Sequence, residues 1–261
     1  MKKKSKRTLG RDASPKRKRI EDNKPVQNTR LNRYIAQSGI CSRREADELI
    51  KGGKIKVNSK IITEMGYQVN PGDNVYYGNK LLSKERLIYV LLNKPKDFIT
   101  TTDDPHERKT VMQLVASACS ERIYPVGRLD RNTTGVLLLT NDGELSKKLT
   151  HPSHQIAKIY QVELNKSLEE THFNQIKEGI ELEDGFIKID DIAILDSSGR
   201  NLGIEIHSGR NRIVRRIFES FGYDVTKLDR VMFAGLTKKD LPRGKWRFLT
   251  DREIVKLKYL N

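Results

Sequence analysis

Two runs of consecutive apolar residues constrain this chain most, Ile88-Tyr89-Val90-Leu91-Leu92 and Val136-Leu137-Leu138-Leu139. Polar, turn-forming residues follow each, Asn93-Lys94-Pro95 after the first and Thr140-Asn141-Asp142-Gly143 after the second. Short apolar runs with such boundaries fit strands buried on both faces. Residues 159–164 alternate, with Tyr160, Val162 and Leu164 set against Gln161 and Glu163, and read as a half-buried strand. Residues 187–195 and 202–206 suggest further strands. Helical spacing marks 168–180 through Phe173, Ile176 and Ile180, and 212–221 through Ile213, Ile217 and Phe221. Strands outnumber helices without alternating strictly with them. The expected fold is therefore α+β with a mostly antiparallel mixed sheet, rather than a doubly wound one.

The 261 residues carry a net charge of +16, which attracts polyanions. The charge is uneven. Residues 1–28 hold eleven Lys or Arg against three Asp or Glu, residues 29–88 eleven against six, and residues 89–261 twenty-eight against twenty-five. Residues 1–28, with Lys16-Arg17-Lys18-Arg19 and almost no apolar side chains, are expected to be a disordered basic tail that tethers RNA by counterion release. A purely solubilising tail is the alternative. No apolar run reaches the ~20 residues of a membrane span, and no apolar stretch follows the basic start as a secretory signal requires. Cys41 and Cys119 form no CxxC pair and read as reduced thiols of a cytoplasmic protein. His151 and His154 have no further Cys, His or carboxylate cluster nearby, so no metal site is expected.

Residues 29–88 read as a small basic module. Leu31, Tyr34 and Ile35 share one face of a short helix that Gly39 ends, and Ser42-Arg43-Arg44-Glu45 has the pattern of a capping box opening a second. Gly52-Gly53 stops that helix, and 54–57, 61–62 and 75–77 suggest short strands. Arg43 and Arg44 fall in a first helical turn, where the dipole disfavours positive charge unless an anion faces both. Two solvated arginines are the plainer alternative. The runs Leu31-Asn32-Arg33-Tyr34-Ile35-Ala36, Gly39-Ile40-Cys41-Ser42-Arg43-Arg44-Glu45-Ala46 and Gly52 through Lys54-Ile55-Lys56-Val57-Asn58 resemble the S4 RNA-binding domain. That resemblance implies an α-α-β unit contacting structured RNA through Arg33, Arg43, Arg44, Lys51, Lys54 and Lys56.

In residues 89–261 the densest polar cluster is Tyr124-Pro125-Val126-Gly127-Arg128-Leu129-Asp130-Arg131-Asn132-Thr133-Thr134-Gly135. Glycines bracket a loop that carries one carboxylate between two arginines. An ionised carboxylate so placed can serve as nucleophile or base, though by composition a loop aspartate making turn hydrogen bonds or a surface ion pair is the commoner case. No Gly-rich phosphate loop, nucleotide fingerprint or nucleophile elbow is present, so neither a nucleotide cofactor nor a metal is expected.

Gly127-Arg128-Leu129-Asp130, then Thr134-Gly135, then Thr140-Asn141-Asp142-Gly143, resembles the signature of the pseudouridine synthases. Leu92-Asn93-Lys94-Pro95, Thr101-Thr102-Asp103-Asp104-Pro105, Leu149-Thr150-His151-Pro152 with Lys158-Ile159-Tyr160, and Gly209-Arg210-Asn211-Arg212-Ile213-Val214-Arg215-Arg216 follow that family's order. The likeness is to the RsuA/RluB/RluE/RluF branch, whose ribosomal RNA enzymes carry an N-terminal S4 domain. It implies isomerisation of a uridine to pseudouridine without a cofactor. By the same resemblance Asp130 is the essential carboxylate, Tyr160 stacks on the target base, Arg215 pairs with the aspartate, and Arg128 helps hold the extruded nucleotide. From the residues alone Tyr160 could be core and Arg215 a solvated helix residue. Two positions depart from the family: Asp97 stands where Gly is common, and Ser208 where an acidic residue is frequent.

The expected organisation is a disordered basic tail over 1–28, an S4-like module over 29–88 and a catalytic domain over 89–261. The expected partner is ribosomal RNA or a ribosomal assembly intermediate, with no membrane, a large-subunit rather than small-subunit target, and a monomeric enzyme. A non-catalytic RNA-binding assembly factor on the same scaffold is the alternative from another class. A hydrolase cutting the same N-glycosidic bond is a second.

Overall fold

The computed structural model describes residues 28–260, so the basic tail expected over 1–28 lies almost wholly outside the described residues. The chain forms two compact units, one of residues up to Ile35 together with Arg43–Leu82, the other of Ala36–Ser42 together with the chain from Ser83 onward.

In the smaller unit the helix Leu31–Gln37 buries Leu31 and Ile35, and the helix Arg43–Lys51 buries Ala46 and Ile50. Four short antiparallel strands follow in the spatial order Lys60–Ile61, Ile55–Val57, Val75–Tyr77, Lys80–Leu81. Ile55 and Val57 point inward while Lys56 between them stays exposed, as a period of two dictates.

The larger unit is built on one mixed sheet. From edge to edge its path runs Asp191–Ile194, Asn201–Ile206, Lys158–Leu164, Val225–Phe233, Thr133–Thr140, Tyr89–Lys94, Trp246–Phe248. All neighbours on that path are antiparallel except Val225–Phe233 with Thr133–Thr140, which are parallel. Both apolar runs lie in adjacent central strands, with Leu91 facing Leu138 and Leu92 facing Leu137 across the ladder. Every residue of Tyr89–Lys94 is buried, Asn93 and Lys94 included, so the strand runs two residues past its expected polar end. The expected strand over 187–195 is instead two strands, Gly185–Ile187 and Asp191–Ile194. The first of these pairs only with Ile180–Leu182, as a separate hairpin.

The parallel junction depends on one glycine. Gly135 lies opposite Arg230 with φ of +107°, and a Cβ there would stand 2.1 Å from the Arg230 carbonyl oxygen. Gly135→Ala should therefore cost about 3 kcal/mol or more, from backbone strain plus overpacking against main chain. A lowered denaturant midpoint with unchanged slope would register it.

Candidate active site

The Gly127–Thr133 segment enters the sheet directly before Thr133–Thr140. Gly127 takes φ of +72°, a conformation that a side chain disfavours, and turns the chain into the loop. Two elements then fix the loop. Thr100 Oγ1 donates to the Leu129 carbonyl at 2.7 Å and accepts from the Leu129 N–H at 3.2 Å. The second is Lys94, which has no solvent exposure. Its Nζ lies 2.8 Å from the carbonyl oxygen of Thr133, 3.0 Å from that of Asp130, and 3.2 Å from those of Pro95 and Arg131. Burial lowers this amine from an ordinary 10.5 to about 8, partly offset by the charges of Asp130 and Asp97.

Asp97 is the residue that replaces the family's common glycine. It adopts φ of +70°, the left-handed region that Gly fills freely and Asp tolerates better than most residues. Its N–H donates to the Arg131 carbonyl at 2.9 Å. At the second departure Ser208 Oγ accepts from the Arg210 N–H at 3.3 Å.

Fixed in this way, the half-buried Asp130 opens into a cleft of about 740 Å³. Tyr160 lines the same cleft from the Lys158–Leu164 strand, where it faces Arg230 across the ladder, and Arg128 lines it from the loop itself. Of the described residues lining the cleft, six are Lys or Arg and Asp130 is the one carboxylate. Such a wall favours a polyanionic ligand and leaves Asp130 as the acidic group able to react with it.

The arginine-rich motif divides its labour. Arg212 adopts φ of +47° at the head of Ile213–Glu219, and its Nη1 comes to 4.0 Å from Asp130 Oδ2. Arg215, 8% exposed, points inward, where Nη1 donates to the Val225 carbonyl at 2.7 Å. Burial lowers its pKa, with the neighbouring Arg212 acting the same way and Asp130's negative charge opposing both. The structure thus sets Arg215 within the field of Asp130 but gives the nearest ion pair to Arg212. Arg216 turns away to Asp184 of the hairpin at 180–187, whereas Arg210 lines the cleft while donating to the carbonyl of Gly185 in that hairpin.

Four further cationic residues at the site were given no role by the sequence: Lys94, Lys158, Arg212 and Arg230. Arg230 is buried, donates Nε to the Val136 carbonyl at 2.8 Å and stacks 4.6 Å over Phe233. Lys158 Nζ donates to the carbonyls of Ile156 and His207, and burial with the nearby Arg230 charge lowers its pKa to about 8. A lysine within a nearly unbroken apolar strand was the available signal for Lys94. Nothing local marks Arg230.

In the smaller unit Arg43, Arg44, Lys51, Lys54 and Lys56 are exposed and Arg33 is half-buried. All six therefore belong to the accessible or partly accessible surface of that unit. Among the described residues no cluster of three or more His, Cys, Asp or Glu could hold a metal, and no helix is long and apolar enough to cross a membrane.

Comparison with known proteins agrees with this architecture. The model of the RNA pseudouridylate synthase family matches residues 88–220, and that of the S4 domain matches residues 29–75. The chain is 39% identical over 235 residues to the ribosomal large subunit pseudouridine synthase B of Bacillus subtilis strain 168, covering 88% of this chain and 96% of that one. It is 38% identical over 236 residues to an uncharacterized RNA pseudouridine synthase of Aquifex aeolicus strain VF5, covering 89% and 94%. With the dual-specificity RNA pseudouridine synthase RluF of Escherichia coli strain K12 it shares 36% identity over 236 residues, covering 89% and 79%. A solved crystal structure of a pseudouridylate synthase superposes with a TM-score of 0.63 at 33% identity, over 87% of this chain and 99% of that one. With an S4 domain ahead of a catalytic sheet that opens one carboxylate into a cationic cleft, the chain belongs to the RNA pseudouridylate synthases, which isomerise uridine to pseudouridine in RNA.

Proposed function

We propose that this chain isomerises one uridine of large-subunit ribosomal RNA, free or within an assembly intermediate, as a cytoplasmic monomer. Residues 29–88 serve as the RNA-binding module and 89–261 as the catalytic domain. The observation that carries this reading is the cleft itself, where Asp130, Arg128, Tyr160 and Arg212 meet within one unit of a single chain.

In this reading Asp130 is the essential carboxylate and Tyr160 is the platform for the extruded base. Extrusion costs a few kcal/mol of stacking, of which an aromatic face returns about 1–3 kcal/mol. Arg128 and Arg212 hold the backbone on either side of the nucleotide. Arg215 contributes a buried positive charge behind Asp130. Arg33, Arg43, Arg44, Lys51, Lys54 and Lys56 contact structured RNA from the S4 module. The preference for the large subunit is supported by the arginine-rich motif and by the Bacillus subtilis relative, which is named for that substrate.

Pseudouridine mapping in ribosomal RNA from a strain lacking the protein tests the target. Loss of a single large-subunit pseudouridine is expected, and loss of a small-subunit site alone would overturn the assignment. Reaction with ribosomal RNA fragments in vitro separates the alternatives. Isomerisation keeps the base in the RNA with no change of mass, hydrolysis releases free uracil, and an assembly factor binds without altering any nucleoside.

A further inference from the structure

The hairpin of Ile180–Leu182 and Gly185–Ile187 stands outside the main sheet. Isolated two-stranded hairpins are marginal in water, yet this one is clamped by the motif that also supplies Arg212. Arg216 grips Asp184 with two guanidinium contacts, at 2.9 and 2.6 Å. Arg210 donates to the Gly185 carbonyl at 2.9 Å and to the Phe186 carbonyl at 3.2 Å. Ile187 anchors the far end in the core with Ile176. What this rigid support displays is Phe186, 55% exposed.

Single exposed apolar side chains are common and need no function. Phe186 differs in its position. It lines the cleft of Asp130, alongside Lys188, Arg210 and Arg212. Its ring lies on the bare backbone of Gly179, where a Cβ would come within 2.4 Å of the ring and displace it. A rigid aromatic face beside cations that track a phosphate backbone is the arrangement by which proteins hold single-stranded bases.

We propose that the hairpin is a reading arm on which Phe186 stacks an unpaired base flanking the target nucleotide. The proposal rests on the cleft binding RNA, as in the reading above. Asp184 is the tie that holds the arm through Arg210 and Arg216, so the arm's position is coupled to the loop that carries Arg212 to Asp130.

The test uses the full chain and equilibrium binding, which needs no turnover. Large-subunit ribosomal RNA fragments are tiled, and the tightest binder is rebuilt with an abasic nucleotide at each unpaired position in turn. One position beside the accommodated uridine should weaken wild-type binding by about tenfold to a hundredfold. Phe186→Ala should show the same loss on intact RNA and no further loss on that abasic RNA, while Phe186→Trp binds like wild type. Additive losses, or Phe186→Ala binding intact RNA as tightly as wild type, would overturn the proposal. Phe186→Leu, which keeps bulk without a π face, should follow Ala, and unchanged thermal unfolding in all three variants shows the arm still folded. Turnover measured on the same fragments is a separate readout: Phe186-dependent binding without product would sink the isomerase assignment and leave the stacking arm standing.

Discussion

Asp130→Asn should abolish pseudouridine formation, by about a thousandfold or more, while the protein stays folded and binds RNA at least as tightly as before. The catalytic loss follows from removing the carboxylate that can act as nucleophile or base, a change on the scale of positioned acid–base or covalent groups. Stability should fall by about 1 kcal/mol or less, because the side chain is 39% exposed, its ion pair with Arg212 is long, at 4.0 Å, and its charge only partly offsets the burial of the Lys94 ammonium. The structural bonds at this position belong to the main chain, from the Thr133 N–H and the Lys94 ammonium to the Asp130 carbonyl, and Asn keeps them. Binding should hold or tighten, since the substitution deletes the negative charge from a cationic cleft facing a polyanion. Single-turnover assays on an RNA fragment, paired with binding curves at fixed salt, check both halves. Product at an undiminished rate would remove Asp130 from the chemistry. Loss of binding alongside activity would make it a structural residue instead.

The local pattern made some of this legible and hid the rest for identifiable reasons. The apolar runs placed two central strands because each is buried on both faces, so their composition carries the signal directly. Val225–Phe233, which links the two halves of the sheet, gave no such signal. It contains Lys227, Asp229 and Arg230, and its register is broken by irregularities near Tyr160 and Leu164. Those charges are answered by distant residues: Lys227 by Glu163, Asp229 by Lys238 and Arg243, and Arg230 by the Val136 carbonyl. A polar strand is tolerable in a sheet when its partners arrive from elsewhere in the chain, and no window of neighbouring residues reveals them. The same holds at the site. The motif at 209–216 offers four arginines, and sequence order alone could not say that Arg210 and Arg216 brace the hairpin, Arg215 turns inward and Arg212 approaches Asp130. Spacing identifies the loop; only packing distributes its guanidinium groups.

Lys94→Met should lower turnover by about a hundredfold or more while changing stability by no more than about 2 kcal/mol. Two terms nearly cancel in the stability. Losing the ammonium strips one donor from the carbonyls of Asp130, Arg131 and Thr133, but the Thr133 N–H still serves the first and the Asp97 N–H the second, so the loss is about 1–3 kcal/mol, borne mainly at Thr133. Against this, the protein no longer buries a charge whose pKa is held near 8 instead of 10.5, a cost of about 3 kcal/mol. No such compensation protects the rate. The loop that aims Asp130 loses its anchor, and a misplacement of about 1 Å is enough to cost a hundredfold. Solution pH separates the two effects. Below pH 8 the amine is charged in folded and unfolded chains alike, and the burial cost is borne in full. Between about 8 and 10.5 the unfolded chain holds a proton that the folded one lacks, so stability should rise with pH. Over the same window activity should fall, because a neutral amine has two N–H donors for the four carbonyls around it. Lys158, also lowered to about 8, contributes a rise of its own. The difference between wild type and Lys94→Met therefore isolates the Lys94 share: opposite trends of stability and turnover above pH 8 in the wild type, with the stability rise reduced in the variant. Parallel trends, or a variant that turns over normally, would show that Lys94 does not position the loop. Asp130→Asn supplies an independent check, since removing the charge that favours the ammonium should shift the stability rise to lower pH.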